Sequence, residues 1–381
     1  MVESLSSYER MMAAIEYREP DYVPLCFMIF SALRGKCKDQ YEFVEKQLEL
    51  GLDAVVDLHE LPIRFDSRVT VKEWQEKAND GTSLLLKEYQ TPSGTLRTVV
   101  NRTADWPHGD GVPLFDDYLI PRSRKFLVEN QADVKSLKHL LTSPKEEEIR
   151  QFRESSKTAK QFAKDKGLLT TAGWGLGMDA ACWLCGIENL MLAAVDNPGF
   201  VEEMAQLIAR WNQERMGVVL DVGVDLYVRR GWYECADFWS PHRFRQFILP
   251  SLKKEAEMIH QAGAKFGYIL TTGTMSLLDS LLEAGIDVLI GVDPVQGRDT
   301  DLREMKRRLH GRICIWGGVN GFITVEMGNR EEVEEAVETA IRILAPGGGF
   351  ILSPVDNIRD ESEGTWRNVG VLIETWKKLR R

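Results

Sequence analysis

The chain has 381 residues, of which 44% are hydrophobic and 28% are charged, and these proportions are typical of a soluble globular protein. It carries 48 Lys plus Arg against 58 Asp plus Glu, a net charge of −10, which argues against binding to nucleic acid phosphates or a basic membrane-surface patch. The first ten residues are polar and no apolar run is long enough to cross a bilayer, so we expect a cytoplasmic protein that binds neither nucleic acid nor membrane.

Eight short apolar runs predict strands that are covered on both faces. They are Val23–Phe30, Asp53–Leu58, Leu168–Gly173, Asp225–Arg229, Lys265–Leu270, Asp287–Val292, Ile313–Trp316 and Gly349–Ser353. Helical patterns lie between most of them, at Gln40–Leu50, Pro198–Val219, Arg243–Ala262, Met275–Ala284, Arg330–Leu344 and Thr365–Leu379. Eight strand–helix units predict the α/β class and a (β/α)8 TIM barrel. A doubly wound sheet also alternates, but no G-x-G-x-x-G follows any strand.

One region interrupts the alternation after the second predicted strand. Leu84–Gln90 and Thr95–Val100 are separated by Thr91-Pro92-Ser93-Gly94, which predicts a β-hairpin. We interpret residues 66–144 as an insertion over the barrel mouth, within a single domain that covers residues 1–381.

The six cysteines are scattered and mostly lie among apolar residues, so we expect core side chains and no disulfide framework. Cys182 and Cys185 form a C-x-x-C, but without a second pair this is a weak metal signal.

Polar residues lie near the ends of several predicted strands, and in a barrel such ends meet at one mouth. The segment Ser353-Pro354-Val355-Asp356-Asn357 shows this most clearly, and Asp225, Asp293 and Asn320 occupy comparable positions. His59 ends the second strand and is either a general acid or base or a structural histidine.

Arg229 and Arg230 follow the fourth predicted strand, where two guanidinium groups could bind a carboxylate. The alternative is a structural salt bridge. Trp232 and Tyr233 come next and could either stack on a flat ring or pack in the core. Trp174 ends the third strand and is assigned to the pocket wall.

The order of these pieces resembles the uroporphyrinogen decarboxylase superfamily, which also contains methyltransferases that serve corrinoid proteins. The resemblance rests on Arg18-Glu19-Pro20-Asp21-Tyr22-Val23-Pro24, Gly186-Ile187-Glu188-Asn189-Leu190, Ser240-Pro241-His242-Arg243-Phe244 and Gly317-Gly318-Val319-Asn320. The hairpin at Thr91–Leu96 looks like that of the methyltransferase branch. In the haem-pathway decarboxylases, an arginine-rich loop follows the first strand, but Leu25–Phe30 is apolar here.

Members of this superfamily that methylate thiols hold zinc through a His-x-Cys and a Cys after Ser-Pro. This chain has Leu270-Thr271-Thr272 and Asp356 at those positions, so we expect no zinc. Without a metal, activation of a thiol acceptor is disfavoured. Tetrahydrofolate, whose methyl group is attached to a ring nitrogen, is the expected carrier, and carboxylate and amide side chains suit a pterin ring.

The resemblance therefore implies an enzyme of one-carbon metabolism or O-demethylation. It would move a methyl group between a corrinoid on a small partner protein and tetrahydrofolate, and we expect a monomer or homodimer. The alternatives are a decarboxylase of a small carboxylated ring compound and a non-catalytic relative. The catalytic candidates are His59, Asn320 and Asp356. The binding candidates are Trp174, Asp225, Arg229, Arg230, Trp232, Tyr233, Thr272, Asp293 and Asn357.

Overall fold

The computed structural model describes residues 5–58 and 60–381, so His59 lies outside the described part of the chain. Its strands are β1 (Val55–Asp57), β2 (Thr70–Lys77), β3 (Ser83–Thr91), β4 (Gly94–Asn101), β5 (Ser123–Lys125), β6 (Leu169–Gly175), β7 (Leu226–Arg230), β8 (Lys265–Ile269), β9 (Val288–Val292), β10 (Cys314–Asn320) and β11 (Phe350–Val355). Its helices are α1 (Ser7–Ile15), α2 (Ser31–Arg34), α3 (Gln40–Glu49), α4 (Gln131–Leu137), α5 (Glu146–Lys166), α6 (Met178–Cys185), α7 (Ile187–Asp196), α8 (Pro198–Asp221), α9 (Pro241–Phe247), α10 (Leu249–Gln261), α11 (Leu278–Ala284), α12 (Leu302–Leu309), α13 (Arg330–Leu344) and α14 (Glu363–Leu379).

Seven parallel strands form one curved sheet in the order β1-β6-β7-β8-β9-β10-β11. The eighth position is filled by the chain around Leu25, which bridges Leu352 in parallel and accepts a hydrogen bond from the Asp53 amide at 2.8 Å. These contacts close the sheet into a TIM-like barrel, and the predicted fold class is confirmed.

The first predicted strand, Val23–Phe30, was too long. Pro24 has no amide hydrogen, and the amide of Leu25 donates to the Asp53 side chain at 3.2 Å instead of to a strand. Only the single bridge at Leu25 remains of that strand.

Two apolar clusters hold the barrel together. One fills its interior and includes Val228, Ile269, Ile290, Trp316 and Ile351. The other lies between the sheet and the surrounding helices. Because alternate side chains of each strand enter alternate clusters, the strands are apolar throughout, as their sequences indicated.

The predicted helix Arg243–Ala262 is in fact two helices, α9 and α10. Pro250 lies in the first turn of α10 and leaves an amide hydrogen missing, so the helix is interrupted at Ile248. In contrast, α13 has the predicted bounds. Asn329 and Glu332 form a capping box at its start.

The insertion contains a separate antiparallel sheet of four strands in the order β2-β3-β4-β5. The predicted hairpin is β3 and β4, with Thr91 paired to Gly94 across a two-residue turn. The strand β2 was not predicted from the sequence because its side chains are mostly exposed and half of them are charged, so no apolar pattern marks it.

Within the described residues, no single helix has the length and apolar character needed to cross a bilayer. The helices α6 and α7 reach that length only together, and they are bent by 105° where they meet.

Candidate functional site

The upper layer of the barrel interior carries polar side chains. Side chains two residues apart lie on the same face of a strand. Asp57 therefore follows Val55 into the interior on β1, and Arg230 follows Val228 on β7. This layer and the loops above it form the candidate site.

Asp57 is a central group of this site. Its Oδ2 accepts a hydrogen bond from Trp174 Nε1 at 2.9 Å and its Oδ1 accepts one from Thr171 Oγ1 at 3.2 Å. Burial raises the pKa of Asp57 to about 7, although these two hydrogen bonds act in the opposite direction. Trp174 itself has a φ of +45°, which is rare for a bulky residue and is found mostly at functional sites. A buried carboxyl group with a raised pKa, next to a strained backbone, is a candidate general acid.

Arg230 lies across the mouth between two indole rings. Its guanidinium carbon is 4.3 Å from the ring centre of Trp232 and 4.7 Å from that of Trp183. Asp117 and Asp179 each approach it only to 3.6 Å, and its Nε and Nη2 have no hydrogen-bond partner. Stacking and these two ion pairs together position the guanidinium, and its donors that make no hydrogen bond remain able to bind a carboxylate.

Neither Asp57 nor a second carboxyl group of the site, that of Asp179 at 3.6 Å from Arg230, was predicted from the sequence. Asp179 is fully buried, and its Oδ1 accepts a hydrogen bond from the Tyr233 amide at 2.9 Å. Burial, and then the charge of Glu234, raise the pKa of Asp179 to about 7.

The insertion contributes directly to the mouth through Asp117. Its Oδ1 accepts hydrogen bonds from Trp183 Nε1 at 2.9 Å and from the Tyr233 hydroxyl at 3.0 Å. Tyr233 is thus held against the insertion, while Trp232 stacks on Arg230 and borders the small cavity on the barrel axis.

The prediction that Arg229 binds a ligand is wrong. Its side chain is buried and donates to Glu255 at 2.7 Å and to both carboxylate oxygens of Glu234 at 2.9 and 3.1 Å. Tyr268 also donates to Glu234, at 2.5 Å. The salt-bridge alternative describes Arg229 correctly, because these buried partners use its donors.

Asn320 and Asp293 hold the backbone of the rim. The Asn320 amide group donates to Asp293 at 2.6 Å and to Gln296 at 3.0 Å. Its oxygen caps the following π-helical turn, Gly321–Glu326. Asp293 also accepts hydrogen bonds from the backbone amides of Val295 and Gln296. The predicted catalytic role of Asn320 and binding role of Asp293 are therefore corrected to structural roles.

Replacement of Asn320 by Ala is expected to lower the free energy of unfolding by about 1–3 kcal/mol, because Asp293 and two backbone amides then lack their buried partner. Urea titration of the variant measures this. Equal stability of N320A and the wild type would contradict the assignment.

Asp225 lies at the opposite end of the barrel from the mouth. It precedes β7, and its Oδ2 accepts from the amide and hydroxyl of Thr170 at 2.8 and 2.5 Å at the start of β6. The prediction that Asp225 binds substrate at the mouth is wrong. Asp225 precedes β7 and therefore lies at the amino ends of the barrel strands, whereas the mouth lies at their carboxyl ends.

The remaining predicted residues lie around the mouth. Asp356 borders both the small axial cavity and a cleft of about 540 Å³ at the rim, and burial raises its pKa. Asn357 forms a pair of hydrogen bonds with Ser31, at 3.0 and 2.9 Å. Thr272 donates to Asp237 at 2.7 Å.

Nowhere in residues 5–58 and 60–381 do three or more His, Cys, Asp or Glu side chains come together as metal ligands. Leu270 is fully buried. The expectation of a zinc-free site stays a prediction.

Known proteins resemble this chain both in sequence, through a family model, and in fold. The family model for uroporphyrinogen decarboxylase (URO-D) matches residues 114–376. A search of curated protein sequences finds no match. A methyltransferase from Methanosarcina mazei is similar in structure, with a TM-score of 0.58 and 16% identity over 98% of this chain and 99% of that one.

Other structural matches cover less of the chain. A D-tagatose 3-epimerase-like protein gives a TM-score of 0.35 and 14% identity over 63% of this chain and 85% of its own. A D-psicose 3-epimerase from Clostridium cellulolyticum H10 gives 0.35 and 12% over 60% and 81%. These scores are too low to bear on function.

Proposed function

Because this chain belongs to the uroporphyrinogen decarboxylase family, we propose that it is a methyltransferase, which moves a methyl group between a corrinoid on a partner protein and tetrahydrofolate. Family membership indicates an enzyme. The full-length similarity to the fold of an archaeal methyltransferase is consistent with that branch of the family.

The observation that carries the proposal is the carboxyl group of Asp57, which lies in the barrel interior and has a raised pKa. The methyl group of methyltetrahydrofolate leaves a tertiary ring nitrogen, and that nitrogen must gain a proton to become a good leaving group. A carboxyl group whose pKa is about 7 is protonated in a useful fraction of molecules at neutral pH and can donate that proton. The corrinoid supplies the nucleophile, so the enzyme needs to position the carrier and protonate it.

Arg230 and Trp232 supply the positioning. The guanidinium can pair with a carboxylate of the folate, and the indole offers a face to a flat ring. Asp356 at the rim remains the candidate for the pterin, whose ring carries N–H donors that suit a carboxylate.

Decarboxylation of a carboxylated ring compound is the second candidate, and the same two residues favour it. Arg230 would hold the carboxylate before it is lost as carbon dioxide, and Asp57 would donate the proton that replaces it on carbon.

The proposal predicts that the purified chain catalyses methyl transfer from 5-methyltetrahydrofolate to free cob(I)alamin without added metal. The visible spectrum of the cobalamin follows the reaction, and activity should survive dialysis against a chelator. Release of carbon dioxide from an aromatic acid, with no change in the cobalamin spectrum, would favour the second candidate. Stoichiometric zinc in the active protein, lost together with activity on chelation, would contradict the zinc-free mechanism.

A further inference from the structure

A cleft of about 220 Å³ lies beside the barrel mouth, between the end of β6, the helix α8 and the insertion. We call it the side cleft. Its walls consist mainly of aromatic rings and two guanidinium groups, from Phe115, Trp174, Trp183, Trp211, Arg215 and Arg230.

Arg215 brings a half-buried positive charge to this cleft. Its guanidinium donates to the backbone carbonyls of Pro62, at 3.0 Å, and Leu61, and it lies 4.8 Å from the ring centre of Trp211. No carboxylate of residues 5–58 or 60–381 forms an ion pair with it. Burial lowers the pKa of Arg215, and the smaller electrostatic effects of Tyr227, Glu60 and Glu148 act in the opposite direction. Because Arg215 has no ion-pair partner among the described residues, an anionic group of a ligand could pair with it in the cleft.

Two side chains that line the cleft, Trp211 and Arg230, have donor atoms that make no hydrogen bond. Trp211 is only 4% exposed, yet its Nε1 has no hydrogen-bond partner. Nε and Nη2 of Arg230 also make no hydrogen bond, although Asp179 and Asp117 lie 3.6 Å from them. A buried donor without a partner is destabilising, and an acceptor atom of a ligand would remove that cost. Glu60 is the one carboxylate on the described lining.

The aromatic rings that line the cleft and its small volume favour a flat ring as the ligand. Phe115 lies 5.9 Å from Trp183 and 5.7 Å from Trp211 between ring centres, both at interplanar angles of 45°. The volume is below the roughly 300–1,000 Å³ that is common for drug-sized ligands, so a single substituted ring is the appropriate size.

We infer that the side cleft binds an aromatic ring that bears a carboxylate, with Arg215 and Arg230 as the anion-binding pair. This inference deepens the proposed function, on which it rests for the source of the ring. That source is either the aminobenzoyl-glutamate portion of a folate or an aromatic acid substrate. The pair of guanidinium groups expected from Arg229 and Arg230 is thus formed by Arg230 and a residue from another element.

The test measures binding of two probes, p-aminobenzoyl-L-glutamate and benzoate. Quenching of tryptophan fluorescence reports occupancy because three indoles line the cleft, and calorimetry gives the affinity. We expect at least one probe to bind the wild type and its affinity to fall more than tenfold in Arg215→Gln. Trp211→Phe, which keeps an aromatic ring but removes the N–H, should weaken binding less.

Arg210→Gln is the matched control, because Arg210 is exposed on the same helix, away from the cleft. It should bind as the wild type does. Preference for p-aminobenzoyl-L-glutamate assigns the cleft to the folate, and equal affinity for benzoate assigns it to an aromatic acid. Binding of neither probe, or equal binding by folded Arg215→Gln, overturns the inference. Probe binding without methyl transfer would refute the proposed function and leave the site in place.

Discussion

Asp57→Asn is expected to reduce methyl transfer by about 10²- to 10⁴-fold, the usual contribution of a positioned general acid. Asparagine keeps the size of the side chain: its oxygen can accept the hydrogen bond from Trp174, and its NH2 group can donate to the Thr171 hydroxyl. It has no proton to give near neutral pH. The rate of methyl transfer to cob(I)alamin at saturating 5-methyltetrahydrofolate measures the loss.

The pH dependence provides a sharper test of the same residue. The wild-type rate should fall about tenfold per pH unit above pH 7, as Asp57 loses its proton, whereas the residual rate of the variant should lack this dependence. The exposed Asp221 lies at the other end of the barrel, and Asp221→Asn should keep the wild-type profile. A wild-type profile in Asp57→Asn would contradict the role of Asp57.

Asp57 should also affect stability, with a sign fixed by its raised pKa. Between about pH 4 and pH 7 the folded protein holds a proton on Asp57 that the unfolded chain has released, so the free energy of unfolding decreases as pH rises. The contribution is complete below pH 4. Asp57→Asn should show a smaller decrease over this range, and Asp179, whose pKa is shifted in the same direction, accounts for part of the remainder.

Arg229→Met should lower the free energy of unfolding by about 3–5 kcal/mol, the expected cost of removing one partner from a buried ionic group. Glu234 and Glu255 are both fully buried and both face this guanidinium. Methionine fills similar space but leaves the two carboxylates without a cation. Urea unfolding at neutral pH measures the effect.

Two further variants separate the charge from the packing. Arg229→Met combined with Glu234→Gln and Glu255→Gln should recover part of the loss, because no buried charge then remains unpaired. Arg153→Met breaks an exposed ion pair with Asp221 and should cost less than about 1 kcal/mol. A loss in Arg229→Met no greater than in Arg153→Met would contradict the importance of the buried network.

The fold and family were predictable from the sequence because they depend on patterns that repeat. Apolar runs at regular spacing predicted the barrel, and the structure confirms it. The motifs around Gly186, Ser240 and Gly317 predicted the superfamily, which the match to residues 114–376 confirms. The exposed strand β2 has neither kind of pattern and was missed.

The site was less predictable because the direction of a side chain depends on register. Arg229 and Arg230 are neighbours in sequence, yet one enters the buried network outside the barrel and the other enters the mouth. Asp57 lay inside a correctly predicted strand, where alternation from Val55 could have placed it in the barrel interior. The alternation within an apolar run is hard to recognise, since both faces of the strand are covered.

Closure of the barrel at Leu25 has a practical consequence for the design of truncated forms of the protein. A fragment restricted to residues 114–376 would lack β1 and the residues that meet Leu352. The strands β6 and β11 would then each present a free row of backbone donors and acceptors to solvent. Such edges recruit other chains, so the shortened protein should self-associate instead of remaining as single molecules.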